Sequence, residues 1–172
     1  DAAGTGAWDI GLIGAEPARA ETIAFTAAYV EIEATYLVPA QSPIRSIDEV
    51  DRPGVRIAVT ARSAYDLWLA RNIRHATLVR SSSLDAAFDQ FVAEGLEALA
   101  GLKPRLLSDV QRLPGAHLLD GRFTAVQQAV GTARAHVESA AFLSAFVEQA
   151  KADGRIAALI ARHQVIDRKS VV

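Results

Sequence analysis

Apolar runs without polar alternation occur at intervals along the chain and predict its strands. Such runs are typical of strands that a sheet buries on both faces. They cover residues 8–14 (WDIGLIG), 55–60 (VRIAVT), 77–79, 97–100 and 123–130. Residues 23–38 are rich in Thr, Val, Ile and aromatic side chains and are predicted to be extended, up to the break at Pro39.

Helical patterns fill the intervals between these runs. Ser63 lies three residues before Asp66, which is the spacing of a capping box, and is predicted to start a helix. Ser83 is predicted to cap the next helix, which Gly95 ends. Further helices are predicted over residues 103–109, 138–151 and 156–163. The alternation of strands and helices predicts an α/β fold with largely parallel sheets.

Composition and charge exclude several classes of protein. With 51% hydrophobic and 22% charged residues, the chain has the composition of a folded domain and not of a disordered segment. The formal net charge of -2, without any run of Lys and Arg, gives no reason to expect a nucleic-acid partner. The absence of cysteine excludes disulfides, thiolate zinc sites and cysteine nucleophiles.

No motif for metal, cofactor or covalent chemistry is present. The four histidines are far apart in the sequence and fit no H-x-x-x-H or H-E-x-x-H pattern, so they are expected to be surface or core residues; they are His75, His117, His136 and His163. The chain has no Walker glycine loop, no G-x-G-x-x-G and no nucleophile elbow. We therefore expect no metal and no cofactor.

Four groups of motifs, taken in order, resemble the family 3 solute-binding proteins, whose best-known members bind polar amino acids for ABC importers. The motifs lie at residues 8–14 with 17–19 and 23–26, at 46–50 with 54–59, at 95–99 and at 153–156. They span nearly the whole chain at close to the spacing of the family. Each motif alone is weakly specific, and the specificity comes from the set.

The resemblance implies an α/β fold of the type II periplasmic-binding-protein kind, with a complete second lobe and a partial first lobe. Residues 1–38 would be late strands of lobe one, residues 39–123 lobe two, and residues 124–172 a return strand with helices packing on lobe one. The opening strand, helix and strand of lobe one have no counterpart in the sequence. Because an exposed apolar edge invites pairing with a second copy, we expect self-association.

The family binds the α-carboxylate of its ligand with an arginine that precedes an I-x-F-S stretch, and Arg19 matches that position. A guanidinium presents paired donors that fit a carboxylate in bidentate fashion. The alternative for Arg19 is a solvated side chain in a polar turn, since arginine is usually exposed.

A second part of the family's site is the turn before a helix, and Thr60, Arg62 and Ser63 match it. A helix N-terminus offers free N–H groups and a positive dipole to an anion. Ala61 stands where the family has glycine, and Arg62 adds a cation that would suit an anionic or dicarboxylate ligand. The alternative is that Arg62 points to solvent while Ser63 only caps the helix.

The third part of the family's site departs from the pattern. Leu102 stands where the family has an acidic residue that accepts the ammonium group of the ligand. Leu102 cannot pair with an ammonium, so a standard α-amino acid is in doubt as the ligand. Gln127 or Gln128 could hydrogen-bond a neutral polar ligand, and strand alternation turns one of the two to the other face. Core packing is the expectation for Tyr29 and Trp68.

The resemblance thus implies a binding protein without enzymatic activity. It would hold a small, carboxylate-bearing solute between two lobes in the periplasm and present it to the membrane permease of an ABC transporter, with a signal peptide expected upstream of Asp1. One alternative is an enzyme of the cyclohexadienyl dehydratase type, for which Glu16 is the only candidate acid. The other is a ligand-sensing regulatory domain of the same fold.

Overall fold

The computed structural model describes residues 5–163 and contains eight strands, five α-helices and one 3-10 turn (Ile47–Glu49) within that range. The strands are β1 (Ile10–Gly14), β2 (Ile23–Phe25), β3 (Val30–Val38), β4 (Arg56–Thr60), β5 (Thr77–Ser81), β6 (Ala98–Leu102), β7 (His117–Leu118) and β8 (Thr124–Ala133). The helices are α1 (Ala64–Asn72), α2 (Leu84–Ala93), α3 (Lys103–Val110), α4 (Val137–Ala152) and α5 (Arg155–Arg162).

The chain divides into two compact units. The described residues of unit 1 lie within Asp1–Ile32 and Val126–Val172, and unit 2 is Glu33–Ala125. The chain passes from one unit to the other within β3 and again within β8. The lobe boundaries expected from the resemblance stay a prediction, and their outer ends, residues 1–4 and 164–172, lie outside the described residues.

Unit 2 is a sheet with the strand order β5-β4-β6-β3-β7. Strand β4 lies between β5 and β6, and its residues Ile57, Ala58 and Val59 are fully buried. It pairs in parallel with β5 and β6 because α1 and α2 supply the long crossovers that parallel pairing needs. The core against α2 includes Phe88 and Phe91, which pack with Ala58 and other apolar side chains of the sheet.

In unit 1 strand β8 pairs with both β1 and β2, and both pairings are antiparallel. Helix α4 follows β8 and buries Leu143 and Val147 against Val130, with Tyr29 packed at the margin of this cluster. The predicted core packing of Tyr29 agrees with this contact. No helix within residues 5–163 is long and apolar enough to cross a lipid bilayer.

The predicted α/β class is confirmed, but the prediction of largely parallel sheets is wrong. Among the pairings whose direction is given for residues 5–163, those of β4 with β5 and β6 are parallel, and those of β1 and β2 with β8 and of β3 with β6 and β7 are antiparallel. The parallel pairs follow from the helical crossovers α1 and α2 between β4, β5 and β6, whereas β3 enters the sheet from before this run and pairs antiparallel with β6 and β7. Strand β7 has only two residues, and no apolar run in the sequence predicts it.

The predicted helix ends are present in the structure. Ser63 Oγ accepts a hydrogen bond from Asp66 N (3.1 Å) at the start of α1, and Ser83 Oγ accepts one from Ala86 N (3.1 Å) at the start of α2. Gly95 follows the end of α2 with a φ of 57°, a left-handed conformation that glycine adopts readily.

The carboxylate of Asp51 fixes the loop between α1 and β5. Its Oδ1 accepts hydrogen bonds from His75 N (2.7 Å) and Ala76 N (2.9 Å), and its Oδ2 accepts one from Arg74 N (2.9 Å). Partial burial raises the pKa of the Asp51 carboxyl, but the hydrogen bonds from the three amides lower it by more, so its pKa lies below the ordinary value.

We predict that Asp51→Asn lowers the free energy of unfolding by about 1–2 kcal/mol at pH 7, because a neutral amide accepts these bonds more weakly. The folded-state pKa is depressed, so the stabilisation is present above the unfolded-state pKa and is lost as the pH falls through the folded-state value. Urea unfolding at pH 7 and at acid pH should show that the difference in unfolding free energy between the unsubstituted chain and Asp51→Asn becomes smaller at acid pH. The control is Asp48→Asn, because Asp48 is exposed. A stability difference for Asp51→Asn that does not change with pH would contradict the stabilising role of the Asp51 carboxylate.

Candidate functional site

The three predicted site residues of unit 2 lie together at the carboxyl end of β4. Thr60 is the last residue of β4 and pairs with Ser81, the last residue of β5. Helices α1 and α2 begin four and three residues after these strand ends. In open α/β sheets, ligands bind at this edge because the helix N-termini converge there.

The turn between β4 and α1 is closed by its own hydrogen bonds. Ser63 Oγ and Ser63 N both donate to the carbonyl oxygen of Thr60, over 2.8 and 3.3 Å. With Asp66 N bonded to Ser63 Oγ, the amides of Ala64 and Tyr65 are the two of the first turn that make no hydrogen bond within residues 5–163. These two amides are the donors that the turn offers to an anion.

Arg62 holds an unusual backbone conformation in this turn. Its φ is 63°, and it is the residue other than glycine for which a positive φ occurs within residues 5–163. Its amide donates to Asp66 Oδ2 (2.8 Å), which holds the conformation in place. Ala61 matches the position at which the family has glycine, but the left-handed conformation occurs at the next residue, Arg62. Such a conformation is disfavoured for a side chain with Cβ by roughly 1–2 kcal/mol, and strain of this kind concentrates at functional sites.

Asp66 is the residue that organises the turn, and its role exceeds the predicted capping. Its side chain is buried, and its Oδ1 accepts from Arg80 Nε over 2.8 Å. A capping-box residue would accept from the N-cap amide of Ser63, whereas Asp66 accepts from the amide of Arg62. Arg80, on β5, was not predicted, because nothing in the sequence places it beside Asp66.

We predict that Asp66→Ala lowers the free energy of unfolding by about 2 kcal/mol, because it removes a buried carboxylate that makes two charge-assisted hydrogen bonds. Urea unfolding measures the change. Asp89→Ala is the matched control: Asp89 pairs with Arg112 over 3.4 Å with both side chains exposed, so its removal should change the stability by less than about 0.5 kcal/mol. Equal effects of the two substitutions would contradict the role of Asp66.

Substitutions at Arg62 separate its backbone strain from its charge. We predict that Arg62→Gly is more stable than Arg62→Ala by about 1 kcal/mol, because both remove the guanidinium and only glycine accepts the left-handed conformation without strain. Arg62→Asn should fall between them, since asparagine tolerates that conformation. Urea unfolding of the three variants gives the order, and equal stability of the glycine and alanine variants would show that the turn is not strained.

The region of Leu102 carries a charge arrangement that the sequence did not reveal. Leu102 is the N-cap residue of α3, and the next residue, Lys103, places its Nζ 3.1 Å from Glu33 Oε2. Arg122 Nη1 lies 3.7 Å from the other oxygen of Glu33. The carboxylate beside Leu102 is thus matched by two cations. Glu33 was missed because it precedes Lys103 by 70 residues and only the pairing of β3 with β6 brings them together.

The predicted arginine of unit 1 is tied to its own turn. Arg19 Nη1 donates to the carbonyl oxygen of Gly14 (2.8 Å), and Arg19 N donates to Glu16 O (2.9 Å). The guanidinium is half-buried: burial lowers its pKa, and the nearby Glu16 carboxylate opposes that shift. Arg19 is therefore only partly exposed to solvent.

Gln127 lies at the same end of β1 as the Arg19 turn. Its carbonyl oxygen accepts from Ala15 N (2.7 Å), and its side-chain Nε2 donates to a carboxylate oxygen of Glu31. Glu31 is a second acidic residue that the sequence did not single out. The structure thus brings Arg19 and Gln127 to one region of unit 1, while Thr60, Arg62 and Ser63 lie in unit 2.

Trp68 packs where core packing was predicted. Its ring centroid lies 5.5 Å from that of Phe123, which in turn contacts Tyr36 at 4.5 Å. Burial and then the charge of Asp51 raise the pKa of the Tyr36 hydroxyl far above its ordinary value. Within residues 5–163, no three His, Asp or Glu side chains come together as metal ligands would.

Comparison with known proteins gives a clear result for the fold alone. No family model matches the sequence, and no curated protein matches it either. Solved structures do match, over nearly the whole chain. One is an ancestral amino acid-binding protein described as a precursor of cyclohexadienyl dehydratase, with a TM-score of 0.78 and 20% identity, covering 94% of this chain and 71% of that one.

Two further structures show the range of proteins with this fold. The substrate-binding protein of an amino acid ABC transporter has a TM-score of 0.80 and 16% identity, covering 94% of this chain and 73% of its own. A histidine kinase sensor domain with similarity to periplasmic binding proteins also has a TM-score of 0.80 and 16% identity, covering 99% of this chain and 74% of its own.

The chain has the type II periplasmic-binding-protein fold and spans about 70% of the length of these solved structures. The resemblance to family 3 solute-binding proteins is confirmed as a likeness of fold. At 16–20% identity the likeness does not carry a ligand or an activity.

Proposed function

We propose that the chain is a ligand-binding component of an ABC importer in the periplasm and that it captures a small, carboxylate-bearing solute for a membrane permease. The observation that carries the proposal is the turn from Thr60 to Ser63 at the carboxyl end of β4. There, two helix amides without hydrogen-bond partners among the described residues adjoin the exposed cation Arg62. This combination suits a carboxylate.

The charges in unit 2 favour a ligand with more than one anionic group or without an ammonium group. The turn carries Arg62, and the Glu33 carboxylate near Leu102 already faces Lys103 and Arg122. An ammonium group placed there would compete with two protein cations for one carboxylate. Dicarboxylates therefore fit this part of the site better than standard α-amino acids.

Unit 1 contains two candidate ligand-binding residues of its own. Arg19 is half-buried and held at one nitrogen by the Gly14 carbonyl oxygen, so its side-chain orientation is defined before any ligand arrives. Pre-organised donors bind with less loss of side-chain entropy. Gln127 is the proposed neutral hydrogen-bonding group, with its amide oriented by Glu31.

The absence of enzymatic activity belongs to the same proposal. The dehydratase alternative needs an acid that reaches the substrate, and its candidate Glu16 is only 6% exposed in unit 1. A buried carboxylate next to Arg19 is more suited to orienting the arginine than to exchanging protons with a solute.

The sensor alternative has one observation in its favour, which is the fold shared with a histidine kinase sensor domain. A sensor domain would bind a ligand as well, so binding alone does not separate it from a transport component. The separating observation is genetic context, because a transport component is expected beside permease and ATPase genes and a sensor fused to a signalling domain.

We predict that glutarate raises the melting temperature by several degrees and that glutamate, the same skeleton with an ammonium group, raises it less. A ligand that binds the folded state alone stabilises it by about 2.7 kcal/mol at one hundred times its Kd. Thermal shift across C4 and C5 dicarboxylates and their amino acid counterparts is the measurement, with calorimetry on any solute that responds.

Two substitutions test whether Arg62 binds the ligand. Arg62→Ala removes the guanidinium without relieving the backbone strain, and should weaken binding at least ten-fold. Arg52→Ala is the control, because Arg52 is an exposed cation of the same unit that pairs with Glu49. Stronger binding of glutamate than of glutarate would contradict the ligand class. No response to any solute, from a chain that melts cooperatively, would contradict the binding function.

A further inference from the structure

The hydroxyl of Tyr65 is a buried polar group for which the chain supplies no partner. Tyr65 is the second residue of α1 and only 4% exposed. Among the side chains of residues 5–163, its Oη is the nitrogen or oxygen atom that is shielded from solvent and makes no hydrogen bond. Such groups are rare in native proteins, because a buried hydroxyl without a partner is unfavourable. An unpaired hydroxyl in the first turn of α1 indicates a partner from outside the chain.

The side chain of Tyr65 lies at the turn that precedes α1. Helical side chains lean toward the N-terminus of their helix, which for Tyr65 is the turn from Thr60 to Ser63. Leu69, one turn later on the same face of α1, is fully buried, and α1 packs against β6. The ring of Tyr65 therefore lies between the start of α1 and the carboxyl edge of the sheet.

The contacts of Trp68 show which part of the sheet this side of α1 faces. Trp68 follows Tyr65 by three residues, so the two share one side of the helix. The Trp68 ring lies 5.5 Å from that of Phe123, and Phe123 N donates to Ala34 O over 3.0 Å. Ala34 pairs with Leu102, the last residue of β6. Tyr65 thus lies on the side of α1 that faces the carboxyl end of β6.

The other polar groups at this edge are donors and cations. The amides of Ala64 and Tyr65 make no hydrogen bond within residues 5–163, and Arg62 is exposed beside them. Lys103 follows the end of β6. A phenolic hydroxyl can donate or accept, but next to these groups the partner that suits all of them is an anionic oxygen.

We infer that Tyr65 is a ligand-binding residue of this turn and that its hydroxyl donates a hydrogen bond to the carboxylate held by the amides of Ala64 and Tyr65. The inference rests on the proposed binding function and adds a residue to its site. Because the hydroxyl is shielded, it gives up no bond to water when the ligand binds. Admitting the carboxylate oxygen requires a shift of the ring or of the groups that cover it, and the new hydrogen bond favours the shifted arrangement.

Tyr65→Phe tests the role of the hydroxyl in the full chain. Without ligand, the variant should melt at the same temperature as the unsubstituted chain or higher, because it loses an unpaired polar group and no hydrogen bond. The dissociation constant for glutarate should rise about ten-fold, as expected for the loss of a hydrogen bond to a charged acceptor. Thermal unfolding and calorimetry measure the two effects.

Tyr36→Phe is the matched control in the same unit. Tyr36 is as buried as Tyr65, and its ring packs against Phe123 at 4.5 Å. The charge of Asp51 acts on the Tyr36 hydroxyl, and Asp51 accepts a hydrogen bond from Ala76 N at the amino end of β5, the edge of the sheet opposite to the turn. The dissociation constant for glutarate should therefore be unchanged in Tyr36→Phe.

A spectroscopic measurement separates a direct contact from a structural effect. A hydrogen bond from a tyrosine hydroxyl to a carboxylate shifts the near-ultraviolet absorption of that tyrosine, and the chain has three tyrosines. Saturating glutarate should give a tyrosine difference spectrum in the unsubstituted chain and in Tyr36→Phe, and none in Tyr65→Phe. Glutamate is titrated in parallel, because it also carries a carboxylate and the inference concerns that group alone.

Three results would overturn the inference. If the unsubstituted chain binds and Tyr65→Phe binds equally well, the hydroxyl is paired with an internal water instead of the ligand. If ligand-free Tyr65→Phe melts several degrees lower, the hydroxyl has a partner within the folded chain. If the unsubstituted chain binds neither solute, the proposed function fails and the inference fails with it. Because the first two results do not require that failure, they contradict the role of Tyr65 alone.

Discussion

The parallel pairing of β4 with both of its neighbours is the constraint on which unit 2 depends. Ile57, Ala58 and Val59 are fully buried, so both faces of β4 are covered at its centre. Because β5 and β6 run in the same direction as β4, the helices that follow these strands start at one edge of the sheet. The position of the candidate anion site follows from the burial of one five-residue strand.

Within that edge, a buried carboxylate determines the shape of the turn. Asp66 accepts hydrogen bonds from the amide of Arg62 and from the guanidinium of Arg80, and these two donors compensate the burial of its carboxylate. The same bonds hold Arg62 in a conformation that its side chain disfavours. The strained backbone of Arg62 is thus held by the side chain of Asp66. The sequence spacing had indicated only a capping role for Asp66.

The sequence was informative wherever the physical signal is local. Strands at the apolar runs, the Ser63 and Ser83 caps and the Gly95 stop all depend on residues within a few positions of each other, and they are present in the structure. The predicted burial of the first strand is wrong, because Ile10 and Leu12 of β1 are exposed. Strand direction and the contacts of Glu33 depend on pairing between distant segments. No local pattern encodes such pairings, so the antiparallel strands and the Glu33 cluster were not predicted.

The contacts of Glu33 bear on how the resemblance should be applied to this chain. A leucine at position 102 looks like the loss of a carboxylate, yet the structure places the Glu33 carboxylate near that position from a different strand. Two cations, Lys103 and Arg122, lie at its oxygens, so the region is not an acceptor awaiting an ammonium group. The change from an acidic residue to leucine therefore alters the sign of the local charge as well as its position. The ligand class in the proposed function is therefore inferred from this local charge and not from motif likeness alone.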